Sequence, residues 1–154
     1  MTLLATLASR AGAFRGNGVN HAGQPFVGTL QVAPVMAGRA VTLHYTATGL
    51  DGQALHEEFA LLALADDQRL CLWPVMTELP FVIPHRATGA GDAAVDCERA
   101  VFATGPRDAM SSFREEISIE CLADGGISYA HAWGMPGEAL AHRSRCALQR
   151  EHPQ

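Results

Sequence analysis

The sequence contains no lysine, and all eleven of its basic residues are arginine. Without a primary amine on any side chain, Schiff-base catalysis, a phosphate-loop lysine and pyridoxal attachment are excluded. The arginines are scattered singly and the formal net charge is -5, so no basic face is offered to a phosphate backbone and nucleic acid is not an expected partner. Long hydrophobic runs are also missing. The opening Met1-Thr2-Leu3-Leu4-Ala5-Thr6-Leu7-Ala8 has no basic region before it and meets Arg10 at once, too short for a bilayer span and poorly formed as a signal peptide. The expectation is a cytoplasmic protein without membrane insertion.

No Cys-x-x-Cys pair is present. Cys71, Cys97, Cys121 and Cys146 lie about 25 residues apart, a spacing that suits neither a zinc site nor a dense disulfide scaffold. Free, mostly buried thiols are expected. Gly-x-Ser-x-Gly, Gly-x-Gly-x-x-Gly before a helix and His-Glu-x-x-His are all absent, so no motif names a reaction.

What is present is a globular balance, 48% hydrophobic and 18% charged over 154 residues, enough for one domain with its own core spanning the whole chain, 1-154. Leu3, Leu4, Leu7, Ala8 and Ala11 fall at helical spacing before Gly12, which predicts one short N-terminal helix. Beyond it, runs rich in Val, Ile, Thr, Phe and Tyr are broken at regular intervals by turn chemistry such as Gly49-Leu50-Asp51-Gly52, Asp124-Gly125-Gly126 and Pro136-Gly137. Strands are expected near 13-20, 25-33, 38-48, 53-64, 69-75, 80-83, 94-103, 111-122, 127-134 and 139-149. Hairpin connections between ten short strands favour an all-β, antiparallel up-and-down barrel, whose closure removes exposed edges; a two-sheet sandwich is the alternative. The stretch from Trp73 to Ala93, with Pro74, Pro80 and Pro84, is a candidate rim or lid.

Successive side chains of a strand point to opposite faces, so the more apolar parity of each run is assigned to the interior. This gives Val41, Leu43, Tyr45 and Ala47; then Leu55, Glu57, Phe59, Leu61 and Ala63; then Phe113, Glu115, Ile117, Ile119 and Cys121. It continues with Ile127, Tyr129, His131 and Trp133, and ends with Leu140, His142, Ser144, Cys146 and Leu148. Arg114, Glu116, Ser118 and Glu120 are assigned to water. Loop lengths then pair Tyr45 with Glu57, Cys121 with Tyr129, Ile119 with His131, and His131 with His142.

Two imidazoles facing each other in an apolar wall can bind a metal or haem iron, act as acid and base, or orient a ligand head group, though a core role satisfied by hydrogen bonds is the commoner fate. Glu57 and Glu115, if interior, are expected to have raised pKa values. Arg99, which shares a parity with Val95, Cys97 and Val101, could neutralise one of them or hold a ligand carboxylate. His44 and His56 are expected on a solvated outer face, and His85-Arg86 in an exposed loop.

The segment Gly12-Ala13-Phe14-Arg15-Gly16-Asn17-Gly18 resembles the glycine-x-tryptophan opening of calycins, the lipocalin and fatty-acid-binding superfamily, and is nearest to the glycine-alternating form in nitrobindin-like and related uncharacterised barrels. Phe14 stands where tryptophan is expected, and Asn20 replaces a further glycine. Phe113-Arg114-Glu115-Glu116, Ile117-Ser118-Ile119 and the following Asp124-Gly125 look like the late strands of such barrels. The resemblance implies a roughly ten-stranded calycin-like barrel closed at one end by a short helix. It also implies a lumen for a small apolar ligand or for haem, with His142 or His131 as the haem-binding histidine.

The expected function is therefore binding of a small, largely hydrophobic molecule in the lumen. Tyr45, Glu57, Phe59, Arg99, Glu115, Tyr129, His131, Trp133 and His142 are the candidate ligand-binding residues. No catalytic residue or resident metal is expected. Haem binding through His142 or His131 is the first alternative, and an enzyme using lumenal His and Glu side chains is the second. A homodimer is compatible with the sequence.

Overall fold

The computed structural model describes residues 1–89 and 98–152. Helix α1 spans Leu3–Ser9, and ten strands follow: β1 Gly12–Asn20, β2 Pro25–Val35, β3 Ala40–Gly49, β4 Ala54–Leu64, β5 Leu70–Met76, β6 His85–Ala87, β7 Arg99–Ala103, β8 Arg114–Cys121, β9 Ile127–Gly134 and β10 Ala141–Arg150. Each pairs antiparallel with its neighbours in sequence, and β1 pairs with β10, so the sheet closes into a ten-stranded barrel. Expected strand 80-83 does not form. Pro80 and Pro84 lack ladder donors, the chain there runs as an irregular rim, and β6 begins at His85 instead. The 94-97 part of the expected seventh strand, Cys97 included, lies outside the described residues.

Helix α1 starts at Thr2, whose hydroxyl accepts from the Ala5 amide at 3.1 Å, a serviceable N-cap for so short a helix. Leu3 and Leu7 are wholly buried beneath one end of the barrel, and Arg10 ties the helix exit to the Gly126 carbonyl at 2.6 Å. The core fills the lumen above this plug with Phe14, Leu30, Leu43, Leu62, Leu72, Phe102, Ile117 and Ile119. Cys71, Cys121 and Cys146 are free and buried, as expected; burial pushes the Cys121 thiol up to about 11, which leaves it unreactive at neutral pH.

Two one-residue bulges govern what the lumen contains. The β3–β4 hairpin begins in the register that its turn predicts, with Thr48 opposite Ala54, but Ala47 then pairs with His56, leaving Leu55 as an extra residue. From there on β4 is reversed relative to the sequence expectation: Tyr45 faces Glu58, and His56, Glu58, Ala60 and Leu62 turn inward. Glu57, Phe59 and Leu61 lie outside instead, with Phe59 50% and Leu61 39% exposed. The second bulge is at Arg143, where His142 pairs with Ala132 and Ser144 with His131. It turns His142 to solvent, so the expected His131–His142 pair does not exist. Between β8 and β9 the turn falls one residue earlier than expected, which moves the pairing by two, so that Ile119 faces Tyr129 and Ile117 faces His131. A shift of two leaves every side chain on its expected face.

Arg114 departs from the alternation expected for β8. It is the largest fully buried side chain, because residues beyond β7 fold over the outside of the strand. Its guanidinium donates to the Ser112 carbonyl at 3.0 Å, the Arg107 carbonyl at 2.9 Å, the Met135 carbonyl at 2.9 Å and the Glu138 carbonyl. One cation thereby fastens two rim loops together at the end opposite the helix. Glu116, also expected in water, is 7% exposed and takes a two-pronged bond from Arg107 at 2.6 and 2.7 Å.

The glycines of β1 are spacing devices. A Cβ on Gly16 would stand 1.9 Å from the Ala147 carbonyl oxygen, and one on Gly18 would stand 2.2 Å from the Phe26 ring, which lies across it. Gly16→Ala should therefore strain the β1–β10 closure and lower the unfolding free energy by at least the ~1–3 kcal/mol typical of overpacking. Gly105→Ala, where a Cβ would meet nothing within 4 Å, should change it little. Urea denaturation of the two variants checks this, and equal stabilities would contradict the closure argument.

Candidate functional site

The barrel end opposite α1 opens into a cavity of about 500 Å³. Its walls come from the strand ends where the two bulges lie: Phe26, Leu55, Met76, Leu79, Phe113 and Trp133 supply apolar surface. Tyr45, His56, Glu115, His131, Arg143 and Ser144 add polar groups. Trp133 is held by Arg143, whose guanidinium lies 3.9 Å from the ring centroid and whose Nε donates to the Trp133 carbonyl at 3.1 Å.

Beneath the cavity sits Glu58, completely buried. One of its oxygens accepts from the Tyr129 hydroxyl at 2.5 Å, and the other meets His131 Nε2 at 2.9 Å and His56 Nε2 at 3.4 Å. His56 Nδ1 in turn meets Glu78 at 2.9 Å, and His131 Nδ1 meets the Ser144 hydroxyl at 3.4 Å. Tyr45 stacks on Tyr129 with centroids 4.6 Å apart, closing the cluster against the apolar core. Burial favours the neutral form of Glu58, but the hydrogen bonds from His131, His56 and Tyr129 outweigh it and hold the carboxyl well below the usual carboxylate range. Burial likewise works against charge on His56, yet its bonds to Glu58 and Glu78 raise it to about 9. With a carboxylate on each nitrogen, the ring is an imidazolium that donates twice. Burial, reinforced by the neighbouring Glu58 charge, pushes the Tyr129 phenol well above its ordinary value, so it remains a donor.

A second buried pair lies nearby. His85 Nδ1 is 2.7 Å from the Ile83 carbonyl and Nε2 is 3.0 Å from Glu115. A carbonyl only accepts, so Nδ1 carries a proton, and the Nε2–Glu115 contact holds one further proton between ring and carboxyl. His85 was expected in an exposed loop, but it is wholly buried.

Of the residues singled out from the sequence, Tyr45, Glu115, His131 and Trp133 line the cavity and Tyr129 lies beneath it as a donor to Glu58. The others are elsewhere. Glu57 is on the outer surface, paired with His44 at 2.8 Å, and Phe59 stacks edge-on against His44 on the same face. Arg99 is exposed opposite Glu120, on the outside of the barrel; the interior carboxylates Glu58 and Glu115 are met by histidines instead. His142 is exposed. The residues that parity missed are His56, Glu58 and His85. The alternation His56-x-Glu58-x-Ala60-x-Leu62 was available as a signal, but it lost to the greasier opposite face.

No family model matches the chain, and no curated protein matches it at a significant level. Solved structures do. The chain is similar to the crystal structure of Rv2717c from M. tuberculosis, at TM-score 0.65 and 16% identity over 97% of this chain and 98% of that one. It is also similar to a de novo designed fluorescence-activating β-barrel, at TM-score 0.50 and 9% identity over 95% and 98% of the two chains. A third structure, EF1p2_mFAP2b bound to DFHBI, aligns at TM-score 0.49 and 12% identity over 96% and 99%. At 16% identity the likeness to the first of these bears on the barrel fold alone and leaves the site to be read from its own residues.

The Glu58 cluster links stability to pH. The His56 contribution is fully present below the ordinary histidine value of 6.5 and is lost as pH rises through about 9. The Glu58 contribution is present above the ordinary 4.5 and is lost as pH falls through the depressed folded value. Unfolding free energy should therefore be highest between pH 4.5 and 6.5 and decline towards pH 9. Glu58→Gln should be less stable overall and show a smaller alkaline decline. Denaturant titrations across pH check it, and an identical slope in the variant would contradict the assignment.

Proposed function

We propose that the protein binds a small, mostly apolar molecule bearing at least one polar group, held in the open end of the barrel. The observation that carries this reading is the cavity itself. Its volume of about 500 Å³ lies within the ~300–1,000 Å³ typical of small-molecule sites, and an apolar wall with a few convergent polar groups is the usual composition of such sites. Phe26, Leu55, Met76, Leu79, Phe113 and Trp133 would remove the apolar part of the ligand from water, while Tyr45, Ser144 and Arg143 offer hydrogen bonds to the polar part. The barrel is plugged by α1 at the other end, which makes the ligand's entry one-sided.

Haem is a less well supported occupant. Of the two histidines implied by the resemblance, His142 points away from the lumen, and His131 has Nε2 on Glu58 and Nδ1 towards Ser144. Ligating an iron in the cavity would require His131 to release a buried carboxylate.

Titration with a fluorescent fatty-acid analogue should show saturable binding with one site per chain. Ala47→Trp, which places an indole into the cavity wall, should weaken that binding at least tenfold while leaving the far-ultraviolet circular dichroism of the barrel intact. Unchanged affinity in Ala47→Trp, or a Soret band on adding haemin that disappears in His131→Ala, would overturn the apolar-ligand reading.

A further inference from the structure

The donor atoms below the cavity form a set whose arrangement goes beyond hydrogen bonding. His56, Glu58 and His131 each offer one ligand atom, and these lie within 4.8 Å of one another; His56 Nε2 and His131 Nε2 both approach the same Glu58 oxygen. The two nitrogens stand 3.4 and 2.9 Å from that oxygen. Bonds of about 2.0–2.1 Å at tetrahedral angles put the donors of a zinc-type site about 3.3 Å apart. A cation entering among these three atoms would displace the protons that the two Nε2 atoms now direct at Glu58, leaving both imidazoles neutral and able to ligate.

The far atom of each donor group already has a partner. Glu78 meets His56 Nδ1 at 2.9 Å, the Ser144 hydroxyl lies 3.4 Å from His131 Nδ1, and the Tyr129 hydroxyl donates to the other Glu58 oxygen at 2.5 Å. Outer partners of this kind orient metal-binding imidazoles and carboxylates and raise their basicity. A carboxylate on the second nitrogen of a histidine is a common form of that support, and Glu78 supplies it. Two imidazoles and one carboxylate suit borderline divalent ions such as Zn²⁺, Co²⁺ or Fe²⁺ better than Ca²⁺ or Mg²⁺, which favour all-oxygen ligands.

We propose that His56, Glu58 and His131 form a binding site for one divalent transition-metal ion, with its open coordination position towards the cavity. His56 and His131 line that cavity and Glu58 lies behind them, so the fourth position is directed at the space where a water or a polar group of a bound molecule would sit. Three protein ligands and one exchangeable position is the pattern of a metal that interacts with a ligand rather than one that only braces a fold. The site stands whether or not an apolar molecule also occupies the cavity, and its test is made without one.

The test uses untagged protein stripped with a chelator, then titrated with ZnCl₂ by calorimetry and with CoCl₂ by visible absorption. One equivalent of each metal should bind, and Co²⁺ should develop ligand-field bands that Zn²⁺ displaces. His131→Ala should abolish binding. Glu78→Ala removes the outer partner of His56 at a half-exposed position and should weaken Zn²⁺ about 10–100-fold. His44→Ala, on the outer surface with Glu57, should leave it unchanged. Absence of Co²⁺ bands in the wild-type protein, metal binding that survives His131→Ala, or full affinity in Glu78→Ala would each overturn the proposal.

Discussion

A carboxylate with no solvent contact is among the most expensive things a barrel can enclose, and the way Glu58 is kept ionised organises the open half of this one. Isolated in an apolar interior it would take up a proton or destabilise the fold. Three donors prevent that, and they reach it from two strands: His56 from the same strand, Tyr129 and His131 from β9. Because β4 and β9 are not hydrogen-bonded neighbours, the contacts from β9 cross the lumen and fix its width as well as its charge. The apolar half nearer the helix packs as an ordinary core. At the other half, polar satisfaction takes over from packing, and an open cavity becomes possible there.

Much of the architecture was legible because strand length, turn chemistry and hairpin order agreed with one another: most of the expected strands appear close to their expected bounds, and the barrel closes as anticipated. The interior faces of β3, β8 and β9 were also legible, since in each the apolar parity is the buried one. The site was only half readable. Tyr45, Glu115, Tyr129, His131 and Trp133 sit on strands whose alternation is unbroken up to the cavity. Glu58 and His56 lie beyond a bulge, and a bulge is an extra residue that no count of turn residues reveals. The rule that the greasier face turns inward failed on β4 because Phe59 and Leu61 face outward beside Trp73 and Val75 of β5, while the inner face carries the chemistry. A functional lumen inverts the pattern from which a core is recognised.

The same reasoning explains why His85 and Arg114 are expected at the surface and are found buried. Each is a polar residue beside a proline or a charged run, which in sequence reads as surface. In the structure His85 follows the irregular rim into the sheet to meet Glu115, and Arg114 is covered by the loops whose carbonyls it gathers. Both bind the rim to the barrel wall. Both side chains thus sit where backbone regularity ends.

The one-residue insertion at Leu55 has an evolutionary corollary. Because every side chain of β4 beyond it owes its face to an odd count, deleting that residue would exchange the inner and outer sets together. Glu57 and Phe59 would enter the lumen, and His56 and Glu58 would leave it. Point substitutions can alter this site gradually, whereas a single codon lost or gained in the hairpin would replace it wholesale.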